Sequence, residues 1–191
     1  MSTAPRARVT VEDYLAQERA ASEKHILWDG EVFAAEAMAG GTFEHNTVCA
    51  NVVGLLHAQL RGSRCRVVTS DQRVWVPGKQ GFVYPDATVA CGPLASLDGK
   101  PDVLTNPTVV VEVLSEATER FDRGDKFAGY RSIASLRHYV MVASRERLVE
   151  HYARGDDGAW ILREHRAGDA VQLHGPELVL RVDELYENAG A

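Results

Sequence analysis

The stretch Thr108-Val109-Val110-Val111-Glu112-Val113-Leu114 decides the fold class of this chain. Its side chains are apolar almost throughout, which is typical of a strand that is buried on both faces of a sheet. A second apolar stretch, residues 82–90, carries Asp86 in a similar setting. The two stretches predict neighbouring central strands in a mixed α/β domain, with helices flanking the sheet.

Each predicted central strand carries one carboxylate among apolar neighbours. Burying a carboxylate is costly unless a metal, a cation or hydrogen bonds compensate it. Asp86 and Glu112 on adjacent strands would make a hard-oxygen site suited to a divalent metal, and Lys126 would complete a site for phosphodiester hydrolysis. A purely structural interpretation stays open: Asp86 caps a turn, and Glu112 forms a buried ion pair with Lys126 or an arginine.

The rest of the chain predicts further helices and strands around this centre. Thr10 caps a helix that runs to about Ala21, and Asp29-Gly30 turns a hairpin. A largely buried helix spans His45 to Leu60 after the Gly40-Gly41-Thr42 loop. Further predicted strands cover Cys65–Thr69, Arg73–Val76, Arg137–Ala143, Leu148–Ala153, Trp160–His165 and Leu178–Val182.

Two segments between the strands are predicted from local composition. Residues 96–106 are polar and contain Gly, Pro and Asp, so they predict a mobile surface loop. Asp122 is expected to cap a helix from about Arg123 to Ala134. On that helix a one-turn spacing places Asp122, Lys126 and Tyr130 on one face, which could look toward the metal.

Length and composition favour a single soluble domain spanning residues 1–191. There is no apolar run long enough for a membrane helix, and the polar N-terminus lacks the apolar core of a signal peptide. We therefore expect a cytoplasmic protein that does not bind membranes. Cys49, Cys65 and Cys91 have no CxxC spacing, and we expect buried thiols in a reducing compartment rather than a disulfide or zinc site.

The net charge of −6 argues against a nucleic-acid partner, because binding to phosphates needs local positive charge. Basic residues are nevertheless clustered before the first acidic strand and after the second. The two clusters are Arg61, Arg64, Arg66, Arg73 and Lys79, then Arg120, Arg123, Lys126, Arg131 and Arg137. A nuclease site must itself be acidic, so the overall charge weakens a nuclease interpretation without removing it.

A resemblance to a known family strengthens that interpretation. The motif Tyr84-Pro85-Asp86, the motif Val110-Val111-Glu112-Val113-Leu114-Ser115, and the later Asp122, Lys126 and Tyr130 resemble the Uma-type family, which is grouped with the bacterial restriction endonucleases. That family belongs to the PD-(D/E)XK nuclease superfamily. The resemblance extends over nearly the whole chain, including the Trp28-Asp29-Gly30-Glu31 hairpin and Glu44-His45 at the start of the long helix.

The resemblance implies a restriction-endonuclease-like αβββαβ core, with an N-terminal helix and hairpin and a C-terminal β-hairpin added. Asp86 and Glu112 would bind Mg²⁺, with Mn²⁺ as the other candidate ion. Leu114 stands at the superfamily's usual lysine position, so the resemblance implies that Lys126 supplies the lysine from the following helix. The implied substrate is DNA, and cutting both strands of a duplex is easiest for a homodimer.

One departure and several auxiliary residues accompany this assignment. Family members commonly carry a glutamate where this chain has Ile26, and its loss is expected to weaken metal binding unless Glu31 or His25 compensates. His45 could touch a phosphate or a metal-bound water, or be a plain surface residue. Ile26 and Leu114 also favour an alternative function, a catalytically silent nuclease-fold protein that acts as a nucleic-acid- or protein-interaction module.

Overall fold

The computed structural model describes residues 8–35 and 42–190. Its α-helices are Val11–Ala20 (α1), Phe43–Gln59 (α2), Glu119–Phe121 (α3), Phe127–Tyr130 (α4) and Val182–Leu185 (α5). A 3₁₀ turn covers Pro77–Lys79, and a π-helical turn, Asp122–Lys126, joins α3 to α4. In the described ranges, no helix combines the length and the apolar character needed to span a bilayer.

The strands form two six-stranded sheets and one two-stranded hairpin. The first sheet has the order β2-β1-β5-β4-β8-β7. Its strands are His25–Trp28 (β1), Glu31–Ala34 (β2), Arg73–Val76 (β4), Gly81–Val83 (β5), Ser96–Leu97 (β7) and Lys100–Leu104 (β8). The second sheet has the order β12-β11-β10-β9-β6-β3. Its strands are Cys65–Thr69 (β3), Ala87–Cys91 (β6), Val109–Leu114 (β9), His138–Ala143 (β10), Leu148–Arg154 (β11) and Trp160–Arg166 (β12). The hairpin pairs Ala170–Leu173 (β13) with Leu178–Arg181 (β14).

Strand β9 lies in the middle of the second sheet and is buried on both faces. All six of its residues are buried. Val109, Val111 and Val113 pack into the apolar cluster formed with α2, whereas Val110 and Leu114 pack into the cluster formed with the first sheet. The mixed α/β architecture and the burial predicted for this strand are thus confirmed.

Several predicted elements agree closely with the structure. Thr10 caps α1 through a hydrogen bond that its hydroxyl accepts from the amide of Asp13. Strands β1 and β2 form the predicted hairpin, and both Asp29 and Gly30 have positive φ angles. The predicted strands at residues 138–166 also form, and β11 pairs with β12 across the predicted turn. Residues 40 and 41 of the predicted loop lie outside the described residues.

The prediction of one strand over residues 82–90 is wrong. The chain leaves the first sheet after Val83 and enters the second at Ala87. Pro85 lies in the break, where its missing N–H removes no ladder hydrogen bond. The break is therefore the place where the chain crosses between the two sheets, and Asp86 is its last residue.

The prediction of a mobile loop over residues 96–106 is also wrong. Strands β7 and β8 form a hairpin there, and Asp98 and Gly99 turn it with positive φ angles. Strand β8 pairs in parallel with β4, which buries Val103 completely. The polar composition gave no indication of this short hairpin, in which Val103 and Leu104 are buried in the core. Strand β13 was not predicted at all.

The prediction for the cysteines is wrong for two of the three. Cys65 and Cys91 are register partners on β3 and β6, and they form a disulfide. Their separation of 26 residues gave no sign of the pairing, because only the sheet brings the two strands together. Disulfides are rare in reducing compartments, so the cysteines no longer support a cytoplasmic location, which stays a prediction.

Candidate active site

The two predicted carboxylates face each other across neighbouring strands. Ala87 on β6 pairs with Val111 on antiparallel β9, so Asp86 and Glu112 occupy the next facing positions. The Asp86 Oδ2 atom accepts a hydrogen bond of 2.7 Å from the backbone N–H of Val113. The sheet register therefore brings together two carboxylates that are 26 residues apart in sequence, and it fixes the orientation of one of them.

Glu112 is held by two side chains from the helical segment that follows β9. The Lys126 Nζ atom lies 2.8 Å from Glu112 Oε1, and the Tyr130 hydroxyl donates a hydrogen bond of 2.6 Å to the same oxygen. The side chains of Glu112 and Lys126 are only 5% and 7% exposed, so the ion pair is almost completely removed from water. The predicted catalytic Lys126 and the predicted auxiliary Tyr130 therefore both contact Glu112.

Asp122 adds a third buried carboxylate. Its Oδ1 atom lies 2.9 Å from Lys126 Nζ, and its backbone carbonyl accepts a hydrogen bond of 3.0 Å from the Tyr139 hydroxyl. The prediction that Asp122 is a helix N-cap is wrong. Asp122 lies inside the continuous helical stretch 119–130, at the start of the π-helical turn. Such turns are often found at functional sites, and here both ends of the turn carry a buried charged side chain.

Burial and mutual repulsion shift the protonation equilibria of the two facing carboxylates. Burial raises the pKa of the Glu112 carboxyl to about 8, in spite of the opposing Lys126 charge. Burial also raises the pKa of Asp86, although the Val113 amide works against this. In the absence of an ion, burial therefore favours the protonated form of Glu112.

The pKa of Lys126 moves in the direction that keeps it charged. Burial by itself lowers this pKa, but the carboxylates of Glu112 and Asp122 outweigh burial and raise it above the ordinary value. Burial also raises the pKa of Tyr130, so its hydroxyl stays protonated and donates to Glu112. Lys126 is thus a fixed cation beside the facing carboxylates.

The donor set fits a divalent metal ion. Asp86 and Glu112 offer hard carboxylate oxygens, and with Asp122 they set three carboxylates against the single positive charge of Lys126. A divalent cation would balance the two remaining negative charges. It would also replace the proton that the raised pKa of Glu112 otherwise retains.

His45 and Cys49 bring a second group of potential ligands to Asp86. His45 Nε2 lies 3.9 Å from Asp86 Oδ1 and 3.4 Å from Cys49 Sγ. Burial and the nearby Asp86 raise the pKa of the Cys49 thiol, which is the free thiol of the described residues. Sequence reasoning named His45 but treated Cys49 as a buried apolar residue. Their four-residue spacing on one helix was the available signal.

Other residues named from the sequence are not part of this cluster. Glu31 lies on β2, whose four residues are all exposed, and no contact links it to Glu112 in the described part of the chain. Ile26 is 4% exposed and packs in the apolar cluster that also contains Leu114 and Tyr130. Ile26, where the resemblance led us to expect a glutamate, therefore makes apolar contacts.

Comparison with known proteins relates the chain to one family and one fold. Residues 11–183 match the model of the Uma2 family, whose description is "Putative restriction endonuclease". An uncharacterized protein of Synechocystis sp. is 34% identical over 96% of this chain and 94% of its own length. Another from the same organism is 31% identical over 82% of this chain and 86% of its own.

A solved structure matches the fold at low sequence identity. It is a crystal structure from Anabaena variabilis whose description is "a putative nuclease belonging to DUF820". The TM-score is 0.76 at 12% identity, and the match covers 95% of this chain and 99% of the other. The similarity therefore extends through both six-stranded sheets and establishes the fold.

Proposed function

Because the chain belongs to the Uma2 family of restriction-endonuclease-like proteins, we propose that it is a metal-dependent endonuclease that hydrolyses phosphodiester bonds in DNA. Asp86 and Glu112 would hold Mg²⁺ or Mn²⁺, and Lys126 would assist. The observation that carries the proposal is the facing pair of carboxylates at β6 and β9, with Lys126 buried 2.8 Å from one of them.

The protein's own side chains prepare the site for this reaction. When bound, the ion supplies Lewis-acid activation of a water and neutralises charge on the phosphate. Asp86 is oriented by the Val113 amide, and Glu112 is oriented by the hydroxyl of Tyr130. Both carboxylates are therefore held in place before a ligand arrives, which lowers the cost of organising the site.

In this proposal Lys126 would stabilise negative charge on the reacting phosphate. It is a cation in a site with little water, where a fixed charge stabilises developing negative charge more strongly than it would in solvent. Asp122 holds Lys126 from the other side at 2.9 Å. Lys126, on the helical segment, would thus replace the lysine that the superfamily usually carries at the position of Leu114 on β9.

Exposed arginines are the expected contacts to the DNA backbone. Arg64 and Arg66 are exposed at strand β3, which pairs with β6, the strand that follows Asp86. Arg73 and Lys79 of the same predicted basic cluster are instead paired with Asp102 and Asp29 of the same chain. DNA affinity should accordingly fall steeply with salt concentration, as phosphate contacts release counterions.

A homodimer would place two such sites on the two strands of a duplex. In the described residues, β2 lies at the edge of the first sheet, and its Val32 and Phe33 are 38% and 42% exposed. An edge strand with exposed apolar side chains is suited to pairing with a second copy. Light scattering coupled to gel filtration would test the dimer directly.

The central experiment is cleavage of supercoiled plasmid in Mg²⁺ or Mn²⁺. Asp86→Ala and Glu112→Ala should each reduce nicking by at least about 100-fold, because each removes a metal ligand. Asp125→Asn is the matched control, since this acid is exposed in the same helical segment as Lys126. Nicking that persists in both alanine variants would contradict the proposal.

One observation favours the second candidate function, a catalytically silent interaction module. Ile26 is buried in an apolar cluster where family members commonly carry a glutamate, so the site lacks that carboxylate. Absence of cleavage by all variants, together with no calorimetric binding of Mn²⁺ to the natural chain, would identify this function instead.

A further inference from the structure

Three different ligand atoms converge beside the carboxylate pair. The Nε2 atom of His45, the Sγ atom of Cys49 and a carboxylate oxygen of Asp86 all lie within 4.8 Å of one another. The side chains of His45 and Asp86 are 18% and 24% exposed, so an ion could reach them from solvent. The group combines one nitrogen, one sulfur and one oxygen ligand.

This ligand chemistry differs from that of the facing carboxylates. Thiolate and imidazole ligands favour Zn²⁺ and similar transition metals, whereas Mg²⁺ prefers oxygen ligands alone. In tetrahedral zinc sites, bond lengths of about 2.0–2.3 Å place neighbouring ligand atoms roughly 3.3–3.8 Å apart. The observed separations of 3.4 Å between Cys49 and His45, and 3.9 Å between His45 and Asp86, are close to those values.

The scaffold holds two of the ligands in a fixed relation. His45 and Cys49 are four residues apart in α2, so their side chains lie on one face of the helix. Thr42 caps this helix by accepting a hydrogen bond from the His45 amide. The Nε2 atom of His45 is the ring nitrogen that faces the other ligands, since it lies 3.4 Å from Cys49 Sγ and 3.9 Å from Asp86 Oδ1, whereas Nδ1 is buried without a partner among the described residues.

We propose that His45, Cys49 and Asp86 form a binding site for a thiophilic divalent metal ion such as Zn²⁺, distinct in chemistry from the carboxylate site. A water would complete the coordination. Asp86 is common to both sites, so an ion held by the three ligands competes with Mg²⁺ for this carboxylate. The binding itself does not rest on the proposed nuclease function.

Co²⁺ is the appropriate probe, because a cobalt–thiolate bond gives a charge-transfer absorption that oxygen and nitrogen ligands do not. The oxidised protein should be titrated without reductant, so that Cys65 and Cys91 remain paired and Cys49 is the free thiol. Zn²⁺ should then displace Co²⁺ and remove the band. Calorimetry with Zn²⁺ gives the affinity independently.

Variants separate this site from its neighbour. Cys49→Ala should abolish the cobalt band, and His45→Ala should weaken Zn²⁺ binding by at least about 100-fold. His57→Ala is the matched control, because His57 is an exposed histidine on the same helix, and it should change neither quantity. Thermal melting of each variant checks that it is folded.

Glu112→Gln distinguishes failure of this proposal from failure of the nuclease proposal. It removes a ligand of the carboxylate site only, so the cobalt–thiolate band should persist whether or not the protein cleaves DNA. The proposal is overturned if the natural chain shows no band and no Zn²⁺ binding. It is equally overturned if the band survives in Cys49→Ala.

Discussion

Two groups of titratable side chains lie at the second sheet, and they differ in whether the group contains an opposite charge. The carboxylate cluster, defined as Asp86, Glu112, Asp122 and Lys126, combines buried acids with a buried cation. The histidine cluster, defined as His138, His151 and His165, contains no opposite charge. Each cluster includes a buried residue of a central strand, Glu112 on β9 and His138 on β10, so the difference between the clusters lies in their partners.

The histidine cluster is organised as a chain of neutral rings. His138 Nε2 donates to the carbonyl of His174 at 2.8 Å, so His138 Nδ1 accepts from His151 Nε2 at 3.0 Å. Burial lowers the pKa of His138, and burial with repulsion from His138 lowers the pKa of His151 to about 3. These rings stay neutral and fix the position of the chain near His174.

The comparison shows what marks a candidate site among buried polar groups. His138 and His151 satisfy each other through a hydrogen bond without charge, and this suits a structural role, whereas the Nε2 atom of His165 is buried without a partner among the described residues. The carboxylates carry more negative charge than Lys126 can balance, and burial together with repulsion from Asp122 and Asp86 raises the pKa of Glu112. An excess of buried charge that a ligand could neutralise is the stronger indication of function.

The largest expected effect is the loss of the cation from the carboxylate cluster. Lys126→Met should lower the free energy of unfolding by about 3–5 kcal/mol at pH 8, because it leaves buried acids without a partner. Urea denaturation in the presence of a chelator measures this. Lys79→Met, which breaks a partly exposed pair with Asp29, should cost no more than about 1 kcal/mol. Equal losses of stability in the two variants would show that the buried pairs of Lys126 contribute no more than the partly exposed pair of Lys79.

The histidine cluster should make the protein sensitive to acid. The unfolded chain protonates His151 below its ordinary pKa of 6.5, whereas the folded chain keeps it neutral until about pH 3. Stability is therefore fully present above pH 6.5 and is lost as pH falls through this window, by about 2 kcal/mol from pH 6.5 to 5. Unfolding curves of His151→Gln should show a flatter acid limb. An unchanged slope in the variant would assign the acid sensitivity to other groups.

The carboxylate cluster should respond to pH in the opposite sense. Between pH 4.5 and 8 the folded chain retains the proton of Glu112 and the unfolded chain loses it, so stability falls as pH rises. The expected loss is about 2 kcal/mol between pH 6.5 and 8 without metal. Unfolding measured in a chelator should show this slope in the natural chain and not in Glu112→Gln. Saturating Mn²⁺ should also remove it, because the ion favours the ionised carboxylate.

The smallest expected effect concerns the hydroxyl that orients Glu112. Tyr130→Phe should lower stability by about 1 kcal/mol and weaken Mn²⁺ binding by about tenfold, since it removes one hydrogen bond to a metal ligand. Tyr14→Phe is the matched control, because the Tyr14 hydroxyl donates to the His25 carbonyl elsewhere in the protein. Calorimetry should show weaker ion binding only in Tyr130→Phe. A similar decrease in both variants would show that the Tyr130 hydroxyl has no specific role in ion binding.

Local sequence patterns predicted many of the elements around the site. The valine run of β9, the cap at Thr10 and the turn at Asp29-Gly30 each depend on interactions within a few residues, so they can be identified without the fold. The acids within apolar strands were visible for the same reason, because a charge among valines is conspicuous in any context. Asp86 and Glu112 were named on this basis, and Lys126 was named because it follows them in the next predicted helix.

The sequence by itself therefore determined the fold class and which carboxylates stand out, because both follow from local pattern. Only the tertiary structure decided where the chain crosses between sheets at Pro85, and that Cys65 pairs with Cys91. It alone placed His45 and Cys49 beside Asp86. These relations depend on strand register and helix packing between residues far apart in the chain, and local periodicity contains no information about such distances.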